Sequence, residues 1–117
     1  MPLDTCGKLT LDGQLYQHIY QSDKPLLKAL IENYEIFAPR VSWMQCDFYR
    51  ERSTTLFDNV AVHMAYSEDF LEFEEMRIAV SDDGITRIDS EGAAAQVAIR
   101  WTDMAAMQRD MVERLLS

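Results

Sequence analysis

Apolar positions along this chain follow a helical period up to about Phe37, alternate from Val41 to Trp101, and return to a helical period towards the C-terminus. The first helical stretch opens at Asp12, a good N-capping residue, with Leu11 before it placed to staple onto Tyr16. Leu15, Tyr16, Ile19 and Tyr20 then share one face. The rival pattern, a hairpin turning at Asp12-Gly13, groups Leu15 with Gln17 and Ile19 and fits less well. A second helix is signalled by Ser22-Asp23-Lys24-Pro25 and by the broad stripe Leu26, Leu27, Leu30, Ile31, Tyr34 and Phe37. Pro39 biases Ala38 away from the helical region and should end it.

From Val41 the pattern predicts strands. Val41, Trp43, Gln45, Asp47 and Tyr49 alternate with Ser42, Met44, Cys46, Phe48 and Arg50, leaving bulky groups on both faces of a central strand. Glu51 to Thr55 is polar and reads as a turn. Val60, Val62, Met64 and Tyr66 form one face of a following strand, opposite Ala61, His63 and Ala65. In Ser67 to Val80, Leu71 and Phe73 are out of phase with Met76, Ile78 and Val80. A bulge near Glu74-Glu75 reconciles them. A short helix capped by Ser67 is the alternative, and the bulged strand is preferred. Ser81-Asp82-Asp83-Gly84 makes a tight turn into Ile85 to Ile88, Ser90-Glu91-Gly92 makes another, and Ala95, Val97, Ile99 and Trp101 share a face of the last strand. Thr102 then caps a helix whose apolar side is Met104, Met107, Met111 and Leu115, with Asp110 and Arg114 paired outside.

These elements predict one α+β domain over residues 1–117: two N-terminal helices, a curved antiparallel sheet of about five strands in a meander, and a C-terminal helix packed on the sheet. Asn59 to Trp101, folded about the turn at Ser81 to Gly84, is the stretch around which the rest is organised.

Composition alters this picture mainly through charge. The 117 residues hold 20 acids and 11 bases, a net charge of −9. Ten of the acids and only two bases, Arg77 and Arg87, fall between Asp58 and Glu91, so that segment carries −8. Such a field disfavours nucleic acid, whose phosphates require a basic surface, and favours either a basic protein partner or simple solubility. No apolar run approaches the roughly 20 residues of a membrane span, and the N-terminus lacks the basic and apolar regions of a signal peptide. A cytoplasmic location is expected, and the two cysteines, Cys6 and Cys46, are too few for a disulfide framework.

Candidate chemistry is sparse. Glu68, Asp69, Glu72, Glu74 and Glu75 form a candidate docking patch, though a solvated face is the commoner role for such a run, and they lack the spacing and glycine of a calcium loop. Trp43, Asp47, Tyr49, His63, Tyr66 and Trp101 are candidates for an aromatic pocket between sheet and helices, with His63 as its one base and Asp47 as an acid interrupting an apolar strand. Tyrosines and tryptophans at core periodicity more often pack the core, and one histidine without a placed partner makes no catalytic motif. The stripe Met104, Met107 and Met111 suits an adaptable groove or, more commonly, packing on the sheet. Cys46, among apolar and acidic neighbours, is no nucleophile. No nucleophile elbow, phosphate loop, zinc helix or dinucleotide fingerprint is present, and no cofactor or metal is expected.

Two functions follow from these features. The first is a non-catalytic interaction protein, of inhibitor, immunity or chaperone type, whose acidic face meets a basic protein. The second is a small-molecule-binding domain or weak enzyme using the aromatic pocket. The measured charge asymmetry puts the first ahead. Homodimerisation through a sheet edge or the methionine-rich helix is compatible with either.

Overall fold

A computed structural model describes all 117 residues. Five α-helices surround one end of a single three-stranded antiparallel sheet. In chain order these are α1 (Leu3–Cys6), α2 (Gly13–Tyr20), α3 (Pro25–Phe37), α4 (Phe57–Met64), β1 (Leu71–Val80), β2 (Thr86–Ile88), β3 (Ala93–Trp101) and α5 (Met104–Leu116). Short 3-10 turns occupy Ala38–Arg40 and Phe48–Arg50. The fold is therefore α+β, but the expected arrangement of two N-terminal helices, five strands and a covering C-terminal helix is not the one adopted.

The helices at Gly13–Tyr20 and Pro25–Phe37 lie where the apolar stripes put them, although α1 precedes both. Leu11 and Tyr16 are buried together, as a staple requires. Pro25 stands in the first turn of α3, and α3 gives way at Ala38 to the 3-10 turn containing Pro39.

Val41 to Arg50 is not a strand. A strand needs a ladder partner for its backbone groups, and this segment satisfies them locally. Val41, Met44, Phe48, Arg50 and Glu51 each donate their N–H to a carbonyl three residues back. The turn at Phe48–Arg50 buries two consecutive aromatics, Phe48 and Tyr49, beside Ala38, which an extended chain would send to opposite faces. Trp43 is left 77% exposed.

The expected strand from Val60 to Tyr66 is also overturned, because Phe57–Met64 is α4. Leu56, Val60, His63 and Met64 recur at i, i+4, i+7 and i+8 and turn towards the core, while Val62 remains 63% exposed. The alternation put His63 on the face opposite Val60 and Met64, whereas the helix brings all three to one side. His63 is 2% exposed.

The predicted strand signals after Leu71 do form the sheet, in the order β2-β1-β3. Its irregularity lies between Glu72 and Phe73 rather than at Glu74-Glu75, and Ile99 on β3 is the unmatched residue: Glu72 pairs with Arg100 and Phe73 with Ala98. Gly84, at φ 81°, completes the turn from β1 to β2, where Ser81 and Ile85 close the hairpin. Gly92 permits a close approach, since a Cβ there would lie 2.3 Å from the Ile78 carbonyl oxygen.

Three buried clusters hold the body. Cys6, Leu9, Val60, Leu71, Ala98 and Met107 join α1, α4, α5 and the near end of the sheet. Leu11, Tyr16, Ile19, Leu27, Met111 and Val112 join α2, α3 and α5. Ala38, Phe48 and Tyr49 pack beneath Tyr34 and Met44. The C-terminal helix thus packs mainly against α2, and only its first turns reach the sheet cluster. Asp103, not Thr102, caps it, with its carboxylate accepting from the Ala106 N–H at 2.9 Å.

The far half of the sheet leaves this body. The molecule measures 51 × 32 × 21 Å, and its radius of gyration of 16.9 Å exceeds the value of about 13 Å for a compact chain of this length. The excess is a projecting β-arm.

Candidate functional site

The arm has two faces, fixed by strand alternation and by the pairing register. Leu71, Phe73, Glu75, Arg77 and Ala79 share one face with Trp101, Ala98, Gln96, Ala94 and Arg87. Near the body this face is core; further out it is polar. The other face carries Glu72 and Glu74, then Met76, Ile78 and Val80, with Val97, Ala95, Ala93, Ile88 and Thr86 alongside. No residue of this outer face is buried. Val80 is 67% and Ile88 77% exposed, so the sheet shows solvent an apolar surface on the side away from the helices.

Charge around the arm is unevenly matched. Leu71 to Trp101 holds seven acids and three arginines. Arg77 and Arg87 lie on the face continuous with the core, and Arg77 donates to the Gly92 carbonyl at 2.8 Å. Arg100 is engaged by Glu72 at 2.5 Å. No free base therefore stands on the outer face, whereas Glu74 is on it and Asp82, Asp83, Asp89 and Glu91 lie in the turns that frame it. A hydrogen bond from the Ser81 hydroxyl holds the Asp83 carboxyl below the usual carboxylate range, favouring its anionic form.

The five acids proposed as a patch are placed separately. Glu68 and Asp69 are exposed in the turn before β1, with Asp69 accepting from the Ser67 hydroxyl at 2.9 Å. Glu72 is neutralised across the strands, and the consecutive Glu74 and Glu75 occupy opposite faces. The apolar rows of the outer face were not foreseen as a site. Their signal was present in Met76, Ile78 and Val80, which share a phase and lack a covering element.

The six pocket candidates fall into four places. Trp43 lines an open cavity of about 610 Å³ with Leu30, Tyr34, Phe37 and Phe57, between α3 and the segment from Trp43 to Phe57. Asp47 is exposed at the start of the second 3-10 turn, and Tyr49 is buried, its carbonyl accepting from the Tyr16 hydroxyl. His63 stacks on Phe70 with centroids 5.7 Å apart and meets the exposed Tyr66 edge-on at 5.3 Å. Arg114 lies over the Tyr66 ring at 5.1 Å. Trp101 is elsewhere again, donating its indole N–H to the Thr5 carbonyl at 2.8 Å.

His63 meets no carboxylate. Its Nε2 lies 2.9 Å from the Asp69 carbonyl oxygen, and its Nδ1 is buried without a partner. An imidazole held this way inside a core fixes a loop rather than moving a proton. The Met104, Met107 and Met111 stripe is spent on packing, with Met107 and Met111 buried. The signal for the groove beside Trp43 was the width of the α3 stripe: Leu27 alone is buried there, while Leu26, Leu30 and Phe37 are exposed.

No three His, Cys, Asp or Glu side chains converge in a metal-holding arrangement, and no helix is long and apolar enough to cross a membrane. No protein-family model, curated protein or solved structure matches the chain.

Proposed function

We propose that this chain is a non-catalytic interaction module whose β-arm binds a basic, amphipathic segment of a protein partner. The supporting observation is the outer face itself: an apolar strip of Met76, Ile78, Val80, Ile88, Ala93, Ala95 and Val97, framed by acids and carrying no unpaired base. A partner alternating apolar and basic side chains would bury the strip and place cations against Glu74 and the turn carboxylates. The apolar contact supplies affinity, and the carboxylates supply orientation and rate of encounter. The exposed free thiol of Cys46 fits a reducing compartment such as the cytoplasm.

The test is a titration with a peptide in which Leu and Lys alternate, followed by anisotropy at low and high salt. Binding is expected to weaken as salt rises. Ile88→Ser and Glu74→Lys should weaken it further, while Glu32→Lys on α3 should not. Equal affinity for all three variants, or for an uncharged Leu/Ser peptide, would overturn the reading.

A second reading rests on the cavity beside Trp43, whose volume of about 610 Å³ lies within the range of small-molecule sites. Leu30, Phe37, Trp43 and Phe57 would hold an apolar ligand, with Thr54 and Thr55 at the rim for its polar group. A ligand-induced thermal shift that disappears in Trp43→Ala, without loss of folding, supports this site. An unchanged shift in that variant removes it.

A further inference from the structure

The two edges of the sheet are protected differently. At one edge β2 is only three residues long, carries Arg87 at its centre and is followed by Asp89. Shortness and charge are the usual guards against pairing with another chain. Where β2 ends, the exposed side of β1 carries Glu72, Glu74 and Glu75. At the other edge β3 is nine residues long, and from Ala93 to Ile99 it has no charge and no proline. That is a long uncharged run for a chain with 31 charged side chains in 117.

Part of this edge is already closed. The helix α1 packs along β3, its Thr5 hydroxyl donating to the Ala98 carbonyl at 2.9 Å while the Thr5 carbonyl accepts from Trp101. The covering ends there. Ala93 to Val97, three alanines followed by Gln96 and Val97, continues outward along the arm with β1 paired on its inner edge and none of its residues buried.

We propose that this stretch pairs antiparallel with the same stretch of a second copy, joining two arms into one six-stranded sheet about a two-fold axis at Ala95. The occupant follows from charge. In an isologous contact each residue near the axis meets its own counterpart, so like charges would oppose one another there, and the contact needs a pairing stretch without charge of either sign. Of the three strands only β3 offers such a stretch, Ala93 to Ile99, because β1 would oppose its own glutamates and β2 its own arginine. With the axis at Ala95, Ala94 lies opposite Gln96 and Ala93 opposite Val97. Every such pair is uncharged and contains at least one alanine, which eases close approach of the two strands. An axis perpendicular to the sheet also keeps both outer faces on one side, so the apolar strips of the two copies become continuous. The edge contact is independent of whether those strips bind a basic partner.

The test measures the mass of the full chain in solution by sedimentation equilibrium, for the wild type, Ala95→Lys, Ala95→Glu and an equimolar mixture of the two variants. The wild type is expected at twice the chain mass of 13.5 kDa. Each variant alone is expected at the single mass, because like charges would face each other across the axis. The mixture should return to the double mass, which also shows that neither variant has lost its fold. A wild type of single mass, as a strand-adding foreign partner would imply, overturns the proposal. So do variants that remain double, or a mixture that remains single.

Discussion

His63 Nε2 lies 2.9 Å from the carbonyl oxygen of Asp69, and this bond ties the end of α4 to the start of β1. A carbonyl only accepts, so Nε2 is the donor in this bond, while Nδ1 is buried with no hydrogen-bond partner. Phe70, stacked on the imidazole, is held at φ 68°, a conformation costing roughly 1 kcal/mol or more outside glycine. The Phe70 carbonyl in turn receives the Thr102 N–H at 2.9 Å, linking the loop to the entry of α5. His63→Ala should therefore lower stability by about 2–4 kcal/mol in urea unfolding, in the range of large-to-small core substitutions. Limited proteolysis should cut first between Tyr66 and Phe70.

Ser53 and Leu11 clasp the loop before α4 to the lead-in of α2. The Leu11 N–H donates to the Ser53 hydroxyl at 2.9 Å, and the Ser53 N–H returns a bond to the Leu11 carbonyl at 2.9 Å. Both residues are buried. Ser53→Ala strands the Leu11 donor and should cost about 1–3 kcal/mol in denaturant unfolding. Ser53→Thr, which keeps the hydroxyl, should recover part of that loss.

Gly92→Ala should unlock the arm while sparing the body. The added methyl would meet the Ile78 carbonyl at 2.3 Å and the Ala79 nitrogen at 2.9 Å, both backbone atoms that cannot swing aside. A loss of about 1–3 kcal/mol is expected. Hydrogen exchange should quicken at Met76 to Val80 and Ala93 to Val97 but remain slow in α2 and α5.

Tyr16 gives the fold an alkaline limit. Burial foremost, with the phenols of Tyr34, Tyr20 and Tyr49 nearby, pushes its ionisation well above the ordinary tyrosine value near 10. A group whose folded pKa is raised contributes stability below its unfolded pKa and loses it as pH climbs towards the folded value. Stability measured against pH should therefore decline above about pH 10. Tyr16→Phe should flatten the decline, at the cost of the hydrogen bond to Tyr49, about 1 kcal/mol at neutral pH.

The sequence by itself determined those elements whose signals are local. The apolar stripes from Leu15 to Tyr20 and from Met104 to Leu115, Pro25 at the head of α3, and the Ser81 to Gly84 turn all act within a few residues of themselves, and each is found where it was read. Charge placement along Asp58 to Glu91 was equally legible, since it needs only counting. Alternation was the poorer guide. Val41 to Arg50 and Val60 to Tyr66 carry it without forming strands, because a strand depends on a partner distant in sequence whereas a turn or helix satisfies its own backbone.

Only the tertiary structure decided what is exposed. Whether Ile78 and Ile88 are core or surface depends on where the helices stop, and they stop near Leu71 and Trp101. Whether Glu72 is a free charge depends on Arg100 arriving opposite it, which the unmatched Ile99 brings about. His63 turned inward because α4 is a helix, and Trp43 was left outside because two turns replaced a strand. Burial is a property of pairs of surfaces, so a residue's own neighbours in sequence cannot fix it.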